Sequence, residues 1–325
     1  MYRLTCDIEI RTAEGLVRLD HAESVKIAKQ ADSLCDTATL TLPRRIRWRN
    51  VAKNPIRRGD SIRISLGYDG RNHLAFVGLV RRVEPNTPMV IEAQDMMCQF
   101  QRREARKMAY TSVTLDRLLS DQGIDAEIRG SQSLGAYRVE CNTVSELLDA
   151  LKKQGIRSMM RIGAGSEPRM YAGLAMSPAD ARTFDFDDHT NIASRSQLQY
   201  QTADEVRFLV RVKNNSTAVE GRRTNKRIKP VEVGCQDGEL RTFNVVGMTE
   251  AEMQDYARQQ LSRLERGGLS GSLTVFGGQI VDKLDAVRLT LDGTATGTYQ
   301  VERNPIEWGT SGFRQKLTIG TQLSS

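Results

Sequence analysis

The stretch Gly59-Asp60-Ser61-Ile62-Arg63-Ile64-Ser65-Leu66 has a near repeat at Asp285-Ala286-Val287-Arg288-Leu289-Thr290-Leu291. Each reads as a turn feeding a β-strand. Apolar residues alternate along it, and Arg63 and Arg288 occupy matching sites on the opposite face. The residues downstream of each copy also run in parallel. After Leu66 come the Asp69-Gly70 turn, a strand over 76–83, Glu84-Pro85 and a strand over 89–93. After Leu291 come Asp292-Gly293, a strand over 298–302, Asn304-Pro305 and a strand over 313–319. The strand pattern alone is common enough to arise by chance. The shared order of turn, strand and proline favours one β-unit used twice in a single chain, with other material between.

Ahead of the first copy, Leu4, Cys6, Ile8 and Ile10 alternate with polar residues, and a turn at Ala13-Glu14-Gly15 leads to a second strand. Ser24 to Ala28 is a further short strand. The Thr-rich run Asp36 to Leu42 is a strand with one wet face, stopped by Pro43. Arg44 to Arg58 is a long basic loop holding Trp48 and Pro55, of a length more often functional than filler. Residues 1–95 are therefore expected to form a first small β-barrel or sandwich. Residues 96–190 change texture. A short helix runs over 114–122, and Thr143-Val144-Ser145-Glu146 is a capping box opening a helix with Leu147, Leu148 and Leu151 on one face. A hairpin follows over 159–174, so this region reads as a small α+β domain. Strands at 197–200 and 206–213 precede the second copy, as 24–28 and 36–42 precede the first. A second barrel is thus expected over 191–213 and 269–325. The insertion between, 214–268, carries a helix opened by Thr249-Glu250-Ala251-Glu252 with Met253, Tyr256, Ala257, Gln260, Leu261 and Leu264 at helical spacing.

The 325-residue chain has no apolar run near the ~20 residues of a membrane helix. The start of the chain lacks the apolar core of a signal peptide, so folding in the cytosol and no membrane insertion are expected. Cys6, Cys35, Cys98, Cys141 and Cys235 are scattered, without a C-x-x-C pair, and read as reduced thiols. The net charge of +7 gathers in three clusters: Arg44, Arg45, Arg47, Arg49; Arg102, Arg103, Arg106, Lys107; and Arg222, Arg223, Lys226, Arg227, Lys229. Such clusters fit nucleic acid or an acidic protein. Solvated loop charge is the plainer explanation, and no aromatic residues interleave to stack bases.

No catalytic constellation emerges. Phosphate-loop, dinucleotide, H-E-x-x-H and G-x-S-x-G patterns are absent. His21, His73 and His189 are not tied to a nucleophile. Asp185-Phe186-Asp187-Asp188-His189 carries metal-ligating residue types, but in one short run that reads better as an acidic turn. The chain is read as a non-enzyme without metal or cofactor. A nucleic-acid-binding protein and a cell-wall hydrolase stand as alternatives, and the hydrolase would need a converging carboxylate pair.

Taken together, the D-T-A-T-L-T-L-P strand at 36–43, G-D-S-I-R-I-S-L-G-Y-D-G at 59–70 with F-V-G-L-V at 76–80, T-V-S-E-L-L-D-A-L at 143–151 and the helix-strand ending at 249–276 resemble the bacteriophage tail baseplate hub. This is the late control gene D family, similar to the hub part of type VI secretion VgrG spike proteins. The resemblance covers most of the chain and rests on structural patterns. It implies a mainly β fold with α+β insertions: two related tail-tube-like β-barrels, an intervening α+β domain and a helix-bearing insertion in the second barrel. It also implies a homotrimer forming a pseudo-hexameric ring that adapts a sixfold tail tube to a threefold spike. Expected partners are the tail tube protein, a separate central spike protein and other baseplate proteins, with DNA only as lumen cargo. The expected location is host cytoplasm during assembly, then the virion tail baseplate or an equivalent injection particle. No spike domain is recognised in the chain. Arg44, Arg45, Arg47, Trp48 and Arg49, with Arg222, Arg223, Lys226 and Arg227, are the expected partner contacts, facing an acidic surface.

Overall fold

The computed structural model describes residues 3–43, 54–84, 87–128, 133–153, 156–162, 167–173, 181–201, 207–214, 229–245, 250–264 and 268–324. Seven strands come first: β1 Leu4–Thr12, β2 Gly15–Leu19, β3 Ser24–Gln30, β4 Thr37–Leu42, β5 Ser61–Tyr68, β6 Arg71–Glu84 and β7 Met89–Gln94. A 3-10 helix, Met96–Gln101, leads to β8 Ala109–Thr114, α1 Leu115–Asp121, β9 Glu127–Ile128, β10 Ser133–Arg138, α2 Val144–Lys153, β11 Arg157–Ile162 and β12 Pro168–Gly173. Next are β13 Thr183–Asp187, β14 Ile192–Gln201, β15 Phe208–Asn214, β16 Val231–Gly234, β17 Glu239–Val245 and α3 Glu250–Leu264. The chain closes with β18 Gly268–Phe276, β19 Ala286–Leu291, β20 Thr294–Gly309 and β21 Gly312–Ser324.

The chain is mainly β with helix-bearing insertions. Among the described residues thirteen strands share one sheet, whose main path runs β14-β18-β21-β20-β3-β4-β7-β6-β5-β1-β2, with β19 beside β20 and β13 beside β19. The sheet contains the same order twice. The first half reads β3-β4-β7-β6-β5-β1, and the second reads β14-β18-β21-β20-β19-β13. Two details differ. β1 runs antiparallel to β5, whereas β13 runs parallel to β19. β2 has no counterpart among the described residues.

Alternation along each strand builds one core per half. Ile8, Ile10, Leu40, Leu42, Ile62, Ile64, Leu66 and Ile91 line the first. Leu273, Val275, Val287, Leu289, Val301, Leu317 and Ile319 line the second. Period-two patterning aims every second side chain inward, so a slip of one residue would expose the whole set.

The α+β region has its own core, with Leu115, Leu118 and Leu119 of α1 against Leu147, Leu148 and Leu151 of α2. The capping box forms as expected. Glu146 N–H donates to Thr143 Oγ1 at 3.3 Å, and Thr143 N–H donates to Glu146 Oε2 at 3.4 Å. The basic cluster nearby has a local task. Arg103 donates to the Gln122 and Gly123 carbonyls and Arg106 to the Asp121 carbonyl, satisfying orphan acceptors at the end of α1.

Two expected placements are corrected. The strand expected over 206–213 in the second barrel is β15, and it lies in a separate sheet, between β16 and β17. β18 takes the expected position, beside β14 and β21. β15 buries Phe208, Leu209, Val210 and Val212, a near-continuous apolar run suited to burial on both faces. α3 covers it, bringing Met253 and Ala257 against Val210 and Val212. Likewise β13, expected within the α+β region, pairs with β19 of the second half.

Candidate assembly interface

The two halves join through one long strand. β20 pairs with β19 over its first part, Thr294–Gln300, and with β3 over its second, Arg303–Gly309. Its hairpin with β21 inserts Ile306, Trp308 and Phe313 into the first core. Ile306 sits opposite Ile27, and Trp308 opposite Val25. The edge of β3 is thereby covered by a strand from the other half.

A buried ionic network lies under this seam. Lys283 Nζ donates to Asp36 Oδ1 at 2.6 Å, and Lys29 Nζ lies 3.4 Å from Asp282 Oδ2. Arg161 of β11 and Arg182 both pair with Asp285, at 2.5 and 3.0 Å. Ile162 N–H donates to Asp282 Oδ2. First half, α+β region and second half therefore meet on the turn Asp282–Asp285. Burial works against the Asp282 carboxylate, but Lys29, Lys283 and Arg161 outweigh it and hold its pKa at about 2. Asp95 behaves differently. Burial, and then the neighbouring Asp36 charge, push it up to about 7. Its Oδ2 accepts the Asp36 N–H at 2.9 Å, and its Oδ1 accepts the Met97 N–H at 3.0 Å. Charges this deep cost desolvation energy, and removing one partner would leave an uncompensated buried charge.

The same turn exists in the first half, as Arg57–Asp60. Gly59 N–H donates to the Val80 carbonyl at 2.8 Å, and Leu284 N–H to the Val301 carbonyl at 2.7 Å. Val80 N–H donates to the Asp60 carbonyl, and Val301 N–H to that of Asp285. Arg57 N–H donates to Asp60 Oδ2, and Asp282 N–H to Asp285 Oδ2. Gly59 and Leu284 both have positive φ, 96° and 66°. The environments are opposite. Asp282–Asp285 is sealed, while Arg57 and Arg58 are exposed. They line an open groove of about 580 Å³ with Asn54, Ile56, Arg81, Arg82 and Val83.

Arg44, Arg45, Arg47, Trp48, Arg49, Arg222, Arg223, Lys226 and Arg227 lie outside the described residues. The acidic run 185–189 is strand β13 and its following turn. Asp185 pairs with Arg288, and Asp188 with Arg195. Among the described residues no group of His, Cys, Asp and Glu could hold a metal ion, and no helix is long and apolar enough to cross a membrane. Sequence reasoning matched Asp60 to Asp285 but missed the Lys29–Asp36–Asp95–Asp282–Lys283 network. The signal available was the contrast between Arg57-Arg58 and Asp282-Lys283 at equivalent places.

No protein-family model and no curated protein matches the sequence. Solved structures do match. A tail protein from Neisseria meningitidis MC58 superposes with a TM-score of 0.63 at 17% identity, covering 97% of this chain and 96% of that one. The 43 kDa tail protein of prophage MuSo2 from Shewanella oneidensis gives 0.60 at 13% identity, over 97% and 98%. A chain of the Francisella PdpA–VgrG complex gives 0.56 at 9% identity, over 98% of this chain and 58% of that one. This chain shares the fold of these tail proteins. In this chain the fold consists of the tandem strand order, the covered β3 edge and the central α+β region.

Proposed function

We propose that the chain is a structural hub of a phage tail or related injection machine, carrying no chemistry of its own. The observation behind this reading is the tandem β-unit whose halves join edge to edge through β20 and β3. A chain holding two copies of one unit can repeat that junction between chains. Three chains then close a ring of six similar units by a head-to-tail contact. Such a ring matches a sixfold tube on one face and a threefold spike on the other. Its partners are the tail tube protein, a separate central spike protein and other baseplate proteins, with DNA passing through the lumen. Arg44, Arg45, Arg47, Trp48 and Arg49, with Arg222, Arg223, Lys226 and Arg227, remain the proposed contacts with an acidic tube or baseplate surface. We divide the chain into a first β-unit near 1–95, an α+β region beyond it, an insertion built on β15–β17 and α3, and a second β-unit from the remaining strands. The reading places the protein in the virion tail after assembly in host cytoplasm.

Light scattering of the purified chain, followed by negative-stain imaging, tests this. A mass of three chains and ring-shaped particles are expected. Particles of another order, or a chain that does not enter rings alone or with a co-expressed spike protein, would overturn it.

A further inference from the structure

We propose that Tyr200 of one chain seats in the arginine groove of the next, stacking on Arg57 and Arg58 beside Val83. This rests on the ring reading above, and names the residues that make the contact between chains.

The internal duplication supplies the register. Val80 lies opposite Ala93, Ala93 opposite Ala38, and Ala38 opposite Ile27. In the second half, Val301 lies opposite Ile319, Ile319 opposite Gly271, and Gly271 opposite Leu198. Val80 and Val301 are equivalent because each bonds the same way to its preceding turn. Ile27 therefore corresponds to Leu198, and two residues on, Lys29 corresponds to Tyr200. On the other side of the seam, both β6 and β20 shift register just after this valine, and Arg82 and Arg303 follow. Arg82, Val83 and Glu84 thus correspond to Arg303, Asn304 and Pro305.

Within the chain, Asn304 sits opposite Lys29, and the Lys29 ammonium reaches Asp282. The equivalent contact between chains sets Val83 opposite Tyr200 and directs the Tyr200 ring toward Arg57. Both groove-side residues line the same open groove. Tyr200 itself is 70% exposed, although its counterpart Lys29 is 2% exposed. β14 ends the described sheet path, with its outer edge unpaired among the described residues, whereas β3 is covered. An exposed aromatic on one free edge and an arginine groove at the complementary edge are the two halves of a cation–π contact. An open strand edge left uncovered in a stable protein is also a template for a further strand.

The test uses the full-length chain. Tyr200→Ala should fold normally, with an unchanged circular-dichroism spectrum, and weaken trimer formation by about tenfold or more per contact. Tyr200→Phe keeps the ring face and should assemble like the wild type. Arg57→Glu should reproduce the alanine defect. In the Val83→Cys/Tyr200→Cys double variant, mild oxidation should give covalent dimers and trimers on denaturing gels, absent in either single variant. A double variant that assembles but gives no ladder, or a Tyr200→Ala variant that assembles as well as wild type, overturns this contact while leaving the ring reading intact. A wild-type chain that enters no ring at all overturns the ring reading and the contact with it.

Discussion

Replacing Lys283 by Met should unlock the seam between the two halves in a pH-dependent way. Lys283 Nζ holds Asp36 at 2.6 Å, with both side chains sealed from solvent. Met follows the aliphatic stem at similar volume, so the perturbation is electrostatic. Removing one partner of a buried pair costs about 3–5 kcal/mol. Protonation leads to the same size. Beside Asp95 and without its cation, Asp36 must take up a proton in the folded variant. Unfolded aspartate has a pKa of about 3.9, so holding that proton at about pH 7 costs roughly 4 kcal/mol. The folded pKa lies above the unfolded one, so this stability is intact below about pH 4 and is lost as pH rises. The deficit should therefore shrink as pH falls from about 7 toward 4, by less than a full proton's worth, because burial already raises the Asp36 pKa in the wild type despite Lys283. Asp95 titrates in both proteins and largely drops out of the difference. Trp308 reports the seam directly, being buried opposite Val25. With Trp48→Phe as background, it is the sole tryptophan of the two. Urea unfolding followed by Trp308 fluorescence at several pH values gives the deficit. A loss below about 1 kcal/mol near pH 7, or one that does not vary with pH, would refute the reasoning. Adding Asp36→Asn should restore most of the loss, because the carboxylate left facing the missing ammonium is then gone.

Asp95 makes the wild-type chain itself pH-sensitive. Its folded pKa of about 7 lies above the unfolded value, so its contribution is lost as pH rises from about 4 to 7. Asp95→Asn should flatten that window in urea titrations, at a constant cost of about 1–3 kcal/mol from setting an amide against the Asp36 N–H. Gly59→Val should cost about 1–3 kcal/mol by urea unfolding, from backbone strain at φ 96°, since a Cβ there meets nothing within 4 Å. Leu273→Ala, at a 1% exposed site of the second core, should lower stability by about 2–5 kcal/mol.

The sequence by itself determined the local elements and their repetition. Alternating apolar residues specify β5 and β19, Asp-Gly turns come after both, and the Thr143–Glu146 box starts α2. These signals act over a few residues, where backbone geometry and side-chain period decide the outcome. Pairing was a different matter. β15 and β18 are both short strands, and only the cover supplied by α3 assigned β15 to its own sheet. The ionic seam was the least legible part. Asp282 and Lys283 look like exposed turn residues, as their equivalents Arg57 and Arg58 are. Lys283 meets Asp36 across 247 positions of chain. Whether a charged turn is solvated or sealed depends on which surface is brought against it. Tertiary structure decided that, because burial and the arrival of distant counter-charges are properties of the packed chain and leave no periodic trace in its residues.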